Sequence, residues 1–395
     1  MRRRLLAWVL GLLVVARGWA DAPQLQARAA VLMDAETCQT LHAKNAHKQL
    51  PPASLTKIMT AIIVLERCEL DDVVKASSRA VNTSPSSMNL RVGEQVKVRD
   101  LLYALMLRSA NDAAVALAEH TAGSVEAFAT LMNEKAVALG AKRTHFVNPH
   151  GLHDPKHLST AYDLALITRY AMTHETFREI VKAPYYIVER SLNQEDLWMV
   201  NKAKFLKHYA YAEGVKTGYT NPAGFCFAGA ALREGRRQIT VVLNSPQREA
   251  DTIALMEHGY NDWERIELPA GTVVGSVPIE NGVQEQAPVR LAEPLMWLAP
   301  KSQRARYRWQ VQTQPLNAPV QAGDPAGWLV VYRNEKPYRK APVVVAHDVA
   351  RQPTLSIPIG SVLTAGLILG VLSGRLYGRR QHRRIRVRHR PMRGG

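Results

Sequence analysis

The sequence predicts an α+β fold: an antiparallel sheet flanked by helices, with a helical subdomain, followed by a small all-β domain and a C-terminal transmembrane helix. Three observations lead there. Short apolar strands open and close the region 23–265, while helical periodicity fills its middle. Val-rich runs broken by Gly, Pro and Asn fill 270–350. Residues 353–374 carry no formal charge and are numerous enough to span a hydrocarbon core as a helix. The 395 residues are 47% hydrophobic and 22% charged, which excludes a disordered tail, a collagen-like rod and a small disulfide scaffold.

Taken in order, residues 1–20 read as a secretory signal peptide: Arg2, Arg3 and Arg4, then a short apolar stretch, then small residues at Gly18 and Ala20. Strands are predicted at 28–33 and 40–44. An apolar helix over 54–67 is entered through Pro51 and Pro52. Helices follow at 99–107, 113–121, 125–139 and 161–172, then a strand at 185–189. The body closes with strands at 214–220, 224–232 and 238–243, the last two joined by a hairpin at Glu234-Gly235, and a helix over 249–260. Beyond Leu268-Pro269-Ala270-Gly271 the helical pattern stops and the β module begins.

The net charge of +17 is a property of the ends. Four arginines lie within residues 1–17 and nine within 375–393, leaving the body with 38 basic against 33 acidic residues. That distribution excludes a nucleic-acid groove. The tail 375–395 directly follows the apolar stretch and is expected in the cytoplasm, with anionic lipid headgroups as its simplest partner. The catalytic body is then expected outside the cytoplasmic membrane, on the periplasmic side of a single-pass protein. Gly366, Gly370 and Gly374 form a small-residue stripe suited to self-association. Of the three cysteines, Cys38 and Cys68 are the more plausible disulfide couple, and Cys226 reads as a core residue.

Three motifs carry chemistry. In Ser54-Leu55-Thr56-Lys57, helical spacing lets Lys57 reach the Ser54 hydroxyl; a lysine serves as a base once burial and a second cation depress its pKa. Lys216-Thr217-Gly218 begins an apolar hairpin, where Lys216 and Thr217 can hold a substrate carboxylate and Gly218 admits a ligand backbone. Ser-x-Asn occurs three times. Ser109-Ala110-Asn111 sits between two helices and is the candidate, whereas Ser87–Asn89 and Ser191–Asn193 read as solvated loop sequence.

Together the three motifs resemble the active-site serine penicillin-recognising enzymes. The longer matches, Pro52 to Thr60, Ser109 to Ala114, Asn148-Pro149-His150-Gly151-Leu152 and Gly214 to Thr220, resemble the low-molecular-mass penicillin-binding proteins, serine-type D-alanyl-D-alanine carboxypeptidases. The resemblance implies a serine β-lactamase/penicillin-binding-protein-like fold and removal of the terminal D-alanine from peptidoglycan stem pentapeptides, with β-lactam antibiotics as covalent inhibitors. It implies Ser54 as nucleophile, Lys57 as general base and Ser109 as proton relay. Asn111 would orient the substrate amide, and Lys216 would supply electrostatics and bind the carboxylate with Thr217, Gly218 and Arg248. The backbone of Tyr219, where many relatives carry His, would complete the oxyanion hole, and His150 would line the cleft. No cofactor or metal is implied.

Three other readings compete: a D,D-endopeptidase acting on cross-links, a membrane-tethered scaffold without catalysis, and a β-lactamase. Glu189-Arg190-Ser191-Leu192-Asn193 matches the deacylating motif of class A β-lactamases only superficially. The cluster His145, His150, His153 and His157 lacks zinc-site spacing; apart from His150, its members read as surface groups.

Overall fold

The computed structural model describes residues 22–353. The expected signal peptide, the apolar segment beyond residue 353 with Gly366, Gly370 and Gly374, and the arginine tail lie outside the described residues. Among the described residues no helix is long and apolar enough to cross a membrane. The chain forms two units. Among the described residues, the first runs from residue 22 through Leu268 and takes in Leu295–Arg308 and Tyr332–Arg339; the second comprises Pro269–Pro294, Trp309–Val331 and residues 340–353.

The first unit is built on a five-stranded antiparallel sheet in the order Thr40–Lys44, Ala29–Asp34, Arg236–Leu243, Gly224–Arg233, Ala212–Thr220. The predicted hairpin is present. Glu234 (φ 52°) and Gly235 (φ 75°) both take the left-handed conformation that matches the twist of paired strands. The strand Ala212–Thr220 is an edge, so one row of its backbone groups has no sheet partner.

The helix Lys57–Arg67 lies against the sheet, its Ile58, Met59, Ala61, Ile62 and Val64 all buried. A helix apolar on every side belongs in the core, and this one carries Lys57 in with it. Alanines 113, 114, 116 and 118 let the helix Asn111–Ala122 pack closely in the same core. On the opposite face of the sheet, Leu255 and Met256 of the helix Arg248–Asp262 meet Leu32, Phe227 and Val242.

The structure differs from expectation at several elements. The segment predicted as one helix over 99–107 is an α-helix, Val98–Tyr103, continuing into a π-turn, Ala104–Arg108. A helix Glu175–Lys182 and a strand Trp198–Val200 were not predicted, because the helix buries only Phe177, Ile180 and Val181 and the strand has three residues. Cys38 and Cys68 are not joined: all three cysteines are free thiols, and Cys68 Sγ lies 3.2 Å from Thr121 Oγ1. Nor are the two other Ser-x-Asn stretches solvated throughout. Ser87 Oγ donates to buried Asp112 at 2.5 Å, and Asn193 is itself buried, donating to the Asn89 carbonyl.

The second unit centres on a six-stranded sheet in the order Tyr307–Thr313, Pro325–Arg333, Lys336–Val345, Gln286–Leu291, Val273–Glu280, Leu316–Asn317.

Candidate active site

The reactive serine sits in a tight turn. Residues Ala53–Thr56 form a 3-10 turn ahead of the core helix, and Ala53 holds a positive φ of 49°. Gly151 (φ 86°) presses against this turn so closely that a Cβ there would meet the Ala53 carbonyl oxygen at 1.9 Å. On the other side, a Cβ on Gly218 would come within 3.2 Å of the Ser54 backbone nitrogen. Glycine is therefore what lets strand and loop clamp the turn from both sides. One consequence is that the backbone of the edge strand at Gly218 runs close to the Ser54 backbone nitrogen.

Lys57 is fully buried and its ammonium nitrogen has three neighbours. It lies 2.6 Å from Asn111 Oδ1, 2.6 Å from the His150 carbonyl and 3.1 Å from Ser54 Oγ. The first two are obligatory acceptors, so each takes an N–H. The third direction of the nitrogen faces the serine hydroxyl. Burial, then the charges of Lys216 and Lys202, hold the Lys57 pKa well below the usual lysine range, opposed only by Asp112. The lowered pKa makes it easier for Lys57 to give up a proton, and the nitrogen stands 3.1 Å from Ser54 Oγ.

Lys216 is buried on the helix-facing side of its strand, next to Gly218 in the two-residue alternation. Its ammonium donates to the Thr217 carbonyl at 3.2 Å. Burial, Lys202 and Arg248 lower its pKa to about 7. An anion arriving there would restore its charge.

Of the remaining predicted residues, Ser109 stands at the end of the π-turn in a left-handed conformation (φ 68°) and lines the cleft. Among the described residues its hydroxyl makes no hydrogen bond to Lys57 or Lys216. Asn111 also has a place inside the protein: Oδ1 accepts from Lys57 while Nδ2 donates to the Ser84 carbonyl at 2.8 Å. Arg248 reaches over the sheet edge, donating to the Gly218 carbonyl at 3.1 Å and lying 5.3 Å from the Phe225 ring centre. Tyr219 is exposed and packs its ring against Phe225. Thr217 and Gly218 line the same cleft of about 400 Å³ as Ser54, Ser109, Asn111 and Arg248.

Two contributions were not legible in the sequence. Lys202 lines the cleft, reaches Ser86 Oγ at 3.3 Å and depresses both catalytic-site lysines, but nothing in its polar loop marks it. The Asn148–Leu152 loop acts through its backbone. Asn148 Oδ1 accepts from Gly151 N at 2.7 Å and Thr60 Oγ1 donates to the Pro149 carbonyl at 2.6 Å, which fixes the His150 carbonyl on Lys57.

His157, expected at the surface, is buried. Its Nδ1 accepts from Val147 N at 3.1 Å and burial lowers its pKa to about 4, so the neutral ring donates from Nε2 to Thr56 Oγ1, 2.8 Å away. The four loop histidines do not assemble as a ligand set. Among the described residues one group, Cys68, Asp72 and His120, brings three metal-capable atoms within 4.8 Å of one another. Glu189 pairs with Lys97 on the exposed surface, and the adjacent Arg190 forms a fully buried ion pair with Glu94.

Comparison with known proteins agrees with this arrangement. The family model for D-alanyl-D-alanine carboxypeptidase matches residues 17–247, and that for the C-terminal domain of penicillin-binding protein 5 matches residues 267–351. The D-alanyl-D-alanine carboxypeptidase DacF of Bacillus subtilis is 31% identical, over 82% of this chain and 86% of its own length. The corresponding DacD of Escherichia coli is 33% identical, over 83% and 88%. The crystal structure of penicillin-binding protein 5 from Haemophilus influenzae superposes with a TM-score of 0.70 at 28% identity, covering 83% of this chain and 99% of that one. The chain belongs to the serine-type D-alanyl-D-alanine carboxypeptidase family, the low-molecular-mass penicillin-binding proteins.

Proposed function

We propose that the protein removes the terminal D-alanine from peptidoglycan stem pentapeptides through an acyl-enzyme on Ser54, and that β-lactams acylate the same hydroxyl. The observation that carries this reading is the buried Lys57 nitrogen, held by two obligatory acceptors at 3.1 Å from Ser54 Oγ. Lys57 takes the serine proton as Oγ attacks the carbonyl between the two D-alanines. The backbone N–H groups of Ser54 and Tyr219 stabilise the oxyanion, each contributing roughly 3 kcal/mol. The free edge of the strand Ala212–Thr220 receives the substrate as an added strand. Its terminal carboxylate is held by Lys216, Thr217 and Arg248, and Ser109 passes the proton to the departing amine. Asn111 positions Lys57. Water then resolves the acyl-enzyme. A β-lactamase is disfavoured because the carboxylate of Glu189 lies on Lys97 at 3.1 Å, outside the cleft.

The location of the enzyme is part of the proposal. Residues 1–20 direct export, 353–374 anchor the chain in the cytoplasmic membrane with the catalytic unit on the periplasmic side, and the tail 375–395 meets anionic headgroups.

The test is release of D-alanine from a D-Ala-D-Ala pentapeptide by the full chain, with fluorescent penicillin labelling in parallel. Ser54→Ala is expected to abolish both. Binding without release by the parent would favour a scaffold, and chelator-sensitive release surviving Ser54→Ala would favour a metallopeptidase.

A further inference from the structure

Two core helices run side by side in the same direction and touch at both ends. Lys57 opens the helix Lys57–Arg67 and donates at 2.6 Å to Asn111 Oδ1, which opens the helix Asn111–Ala122. At the far ends, Cys68 caps the first helix, and its Sγ lies 3.2 Å from Oγ1 of Thr121 in the last turn of the second. The serine chemistry uses the first junction and leaves the second without a role.

The second junction gathers three different metal-ligand side chains. Cys68, Asp72 and His120 each offer one atom, and the three atoms lie within 4.8 Å of one another. A point within about 2.8 Å of all three therefore exists, which leaves less than about 1 Å to close to zinc bond lengths of about 2.0–2.3 Å. His120 Nε2 already stands 3.7 Å from Asp72 Oδ2. Neighbouring N and O ligands of a tetrahedral zinc are roughly 3.4 Å apart.

The main chain builds this arrangement. Both helices end here, and the carbonyl end of each helix dipole favours a cation. Glu69 N donates to Asp72 Oδ2 at 3.0 Å, folding the chain after Cys68 back so that the carboxylate returns to the thiol. The neighbouring Asp71 is turned to Arg99, 3.7 Å away. Cys68 and Asp72 are half-buried and His120 is exposed, so an ion can enter and keep a water.

We propose that Cys68, Asp72 and His120 bind one Zn²⁺ ion, with water as fourth ligand, and that the ion clips the two helices together at the ends remote from Ser54. Thiolate and imidazole suit zinc, whereas Mg²⁺ and Ca²⁺ take oxygen ligands. One thiolate and one carboxylate cancel the charge of the ion, and His120 binds as the neutral ring. On binding, the Cys68 S–H bond breaks, its electron pair forms the Zn–S bond, and the proton leaves to solvent. Thr121 Oγ1 donates its hydrogen to the Leu117 carbonyl at 2.7 Å, so it stands as an acceptor to the thiol. Only that weak S–H···O bond is given up. Eleven residues of helix, about 16 Å, separate Cys68 from Lys57, so the ion takes no part in acyl transfer. The inference is independent of the reaction at Ser54.

The test adds Co²⁺ and then Zn²⁺ to the full chain, kept reduced and stripped of metal. Bound Co²⁺ is expected to show a near-ultraviolet thiolate-to-cobalt band at one ion per chain, and Zn²⁺ to abolish it. Cys68→Ser and His120→Gln are expected to lose the band, whereas Cys38→Ser keeps it. Zinc should also raise the melting temperature of the parent and leave that of Cys68→Ser unchanged. Fluorescent penicillin labelling of each variant verifies its fold, and it should not respond to zinc.

If the parent shows no band, or the band survives Cys68→Ser, or Cys38→Ser removes it, the site assignment falls. If zinc binds without raising the melting temperature, the clip falls. Exposed His120→Gln serves where the cysteine variant does not fold. A parent that shows the band but resists penicillin would refute the serine reading and uphold the zinc site.

Discussion

Burial, with repulsion from neighbouring cations added to it, lowers the pKa of the three lysines at positions 57, 202 and 216. Burial is the largest influence on Lys57 and Lys216, and Lys202 adds to both. Removing a cation makes a neighbouring ammonium less costly, so Lys202→Met should raise the pKa of both lysines. Acylation needs Lys57 without its proton. The acid limb of the rate of penicillin acylation should therefore move to higher pH, the alkaline limb governed by Lys216 moving the same way. A pH profile that keeps its position would show that Lys202 does not tune the pair. The parent should itself lose carboxylate-substrate kcat/KM as pH rises past about 7, where Lys216 gives up its charge.

The serine turn, the loop Asn148–Leu152 and the edge strand function as one assembly, because the loop and the strand each press on the turn. Gly151 is the most exposed test of that contact. An alanine there places a methyl against the Ala53 carbonyl and requires a φ of 86°, which side-chain-bearing residues rarely adopt. Displacing the turn by about 1 Å should cost on the order of 100-fold in acylation rate, because the reacting geometry is lost while substrate contacts elsewhere survive. Stopped-flow acylation of Gly151→Ala measures this directly; a rate near that of the parent would mean that the turn is not clamped by the loop. A buried ion pair braces a neighbouring loop. Arg190 joins Glu94 and also donates to the Met88 and Asn89 carbonyls, so the sequence that imitated a β-lactamase motif is an internal brace.

For the molecule as a whole, the apolar segment and the arginine tail should decide where the enzyme works without touching how it works. Deleting 353–395 is expected to move the protein from the membrane fraction to the soluble extract while penicillin labelling persists. Retention of the truncated chain in the membrane fraction would assign anchoring to another part of the molecule.

The α+β class, the helices with strong apolar periodicity and the serine, lysine and Lys-Thr-Gly motifs were legible from the residues, because each depends on neighbours a few positions away. The hydroxyl of Ser54 and the amine of Lys57 meet through one turn of helix, and that spacing is local. Contacts across the chain were hidden. The His150 carbonyl on Lys57 spans 93 positions and Asn111 on Lys57 spans 54, and no pattern in the chain announces either. Burial was hidden for the same reason. His157, Arg190 and Asn193 look like surface groups in sequence, and only a partner brought from elsewhere in the chain makes it affordable to take each out of water.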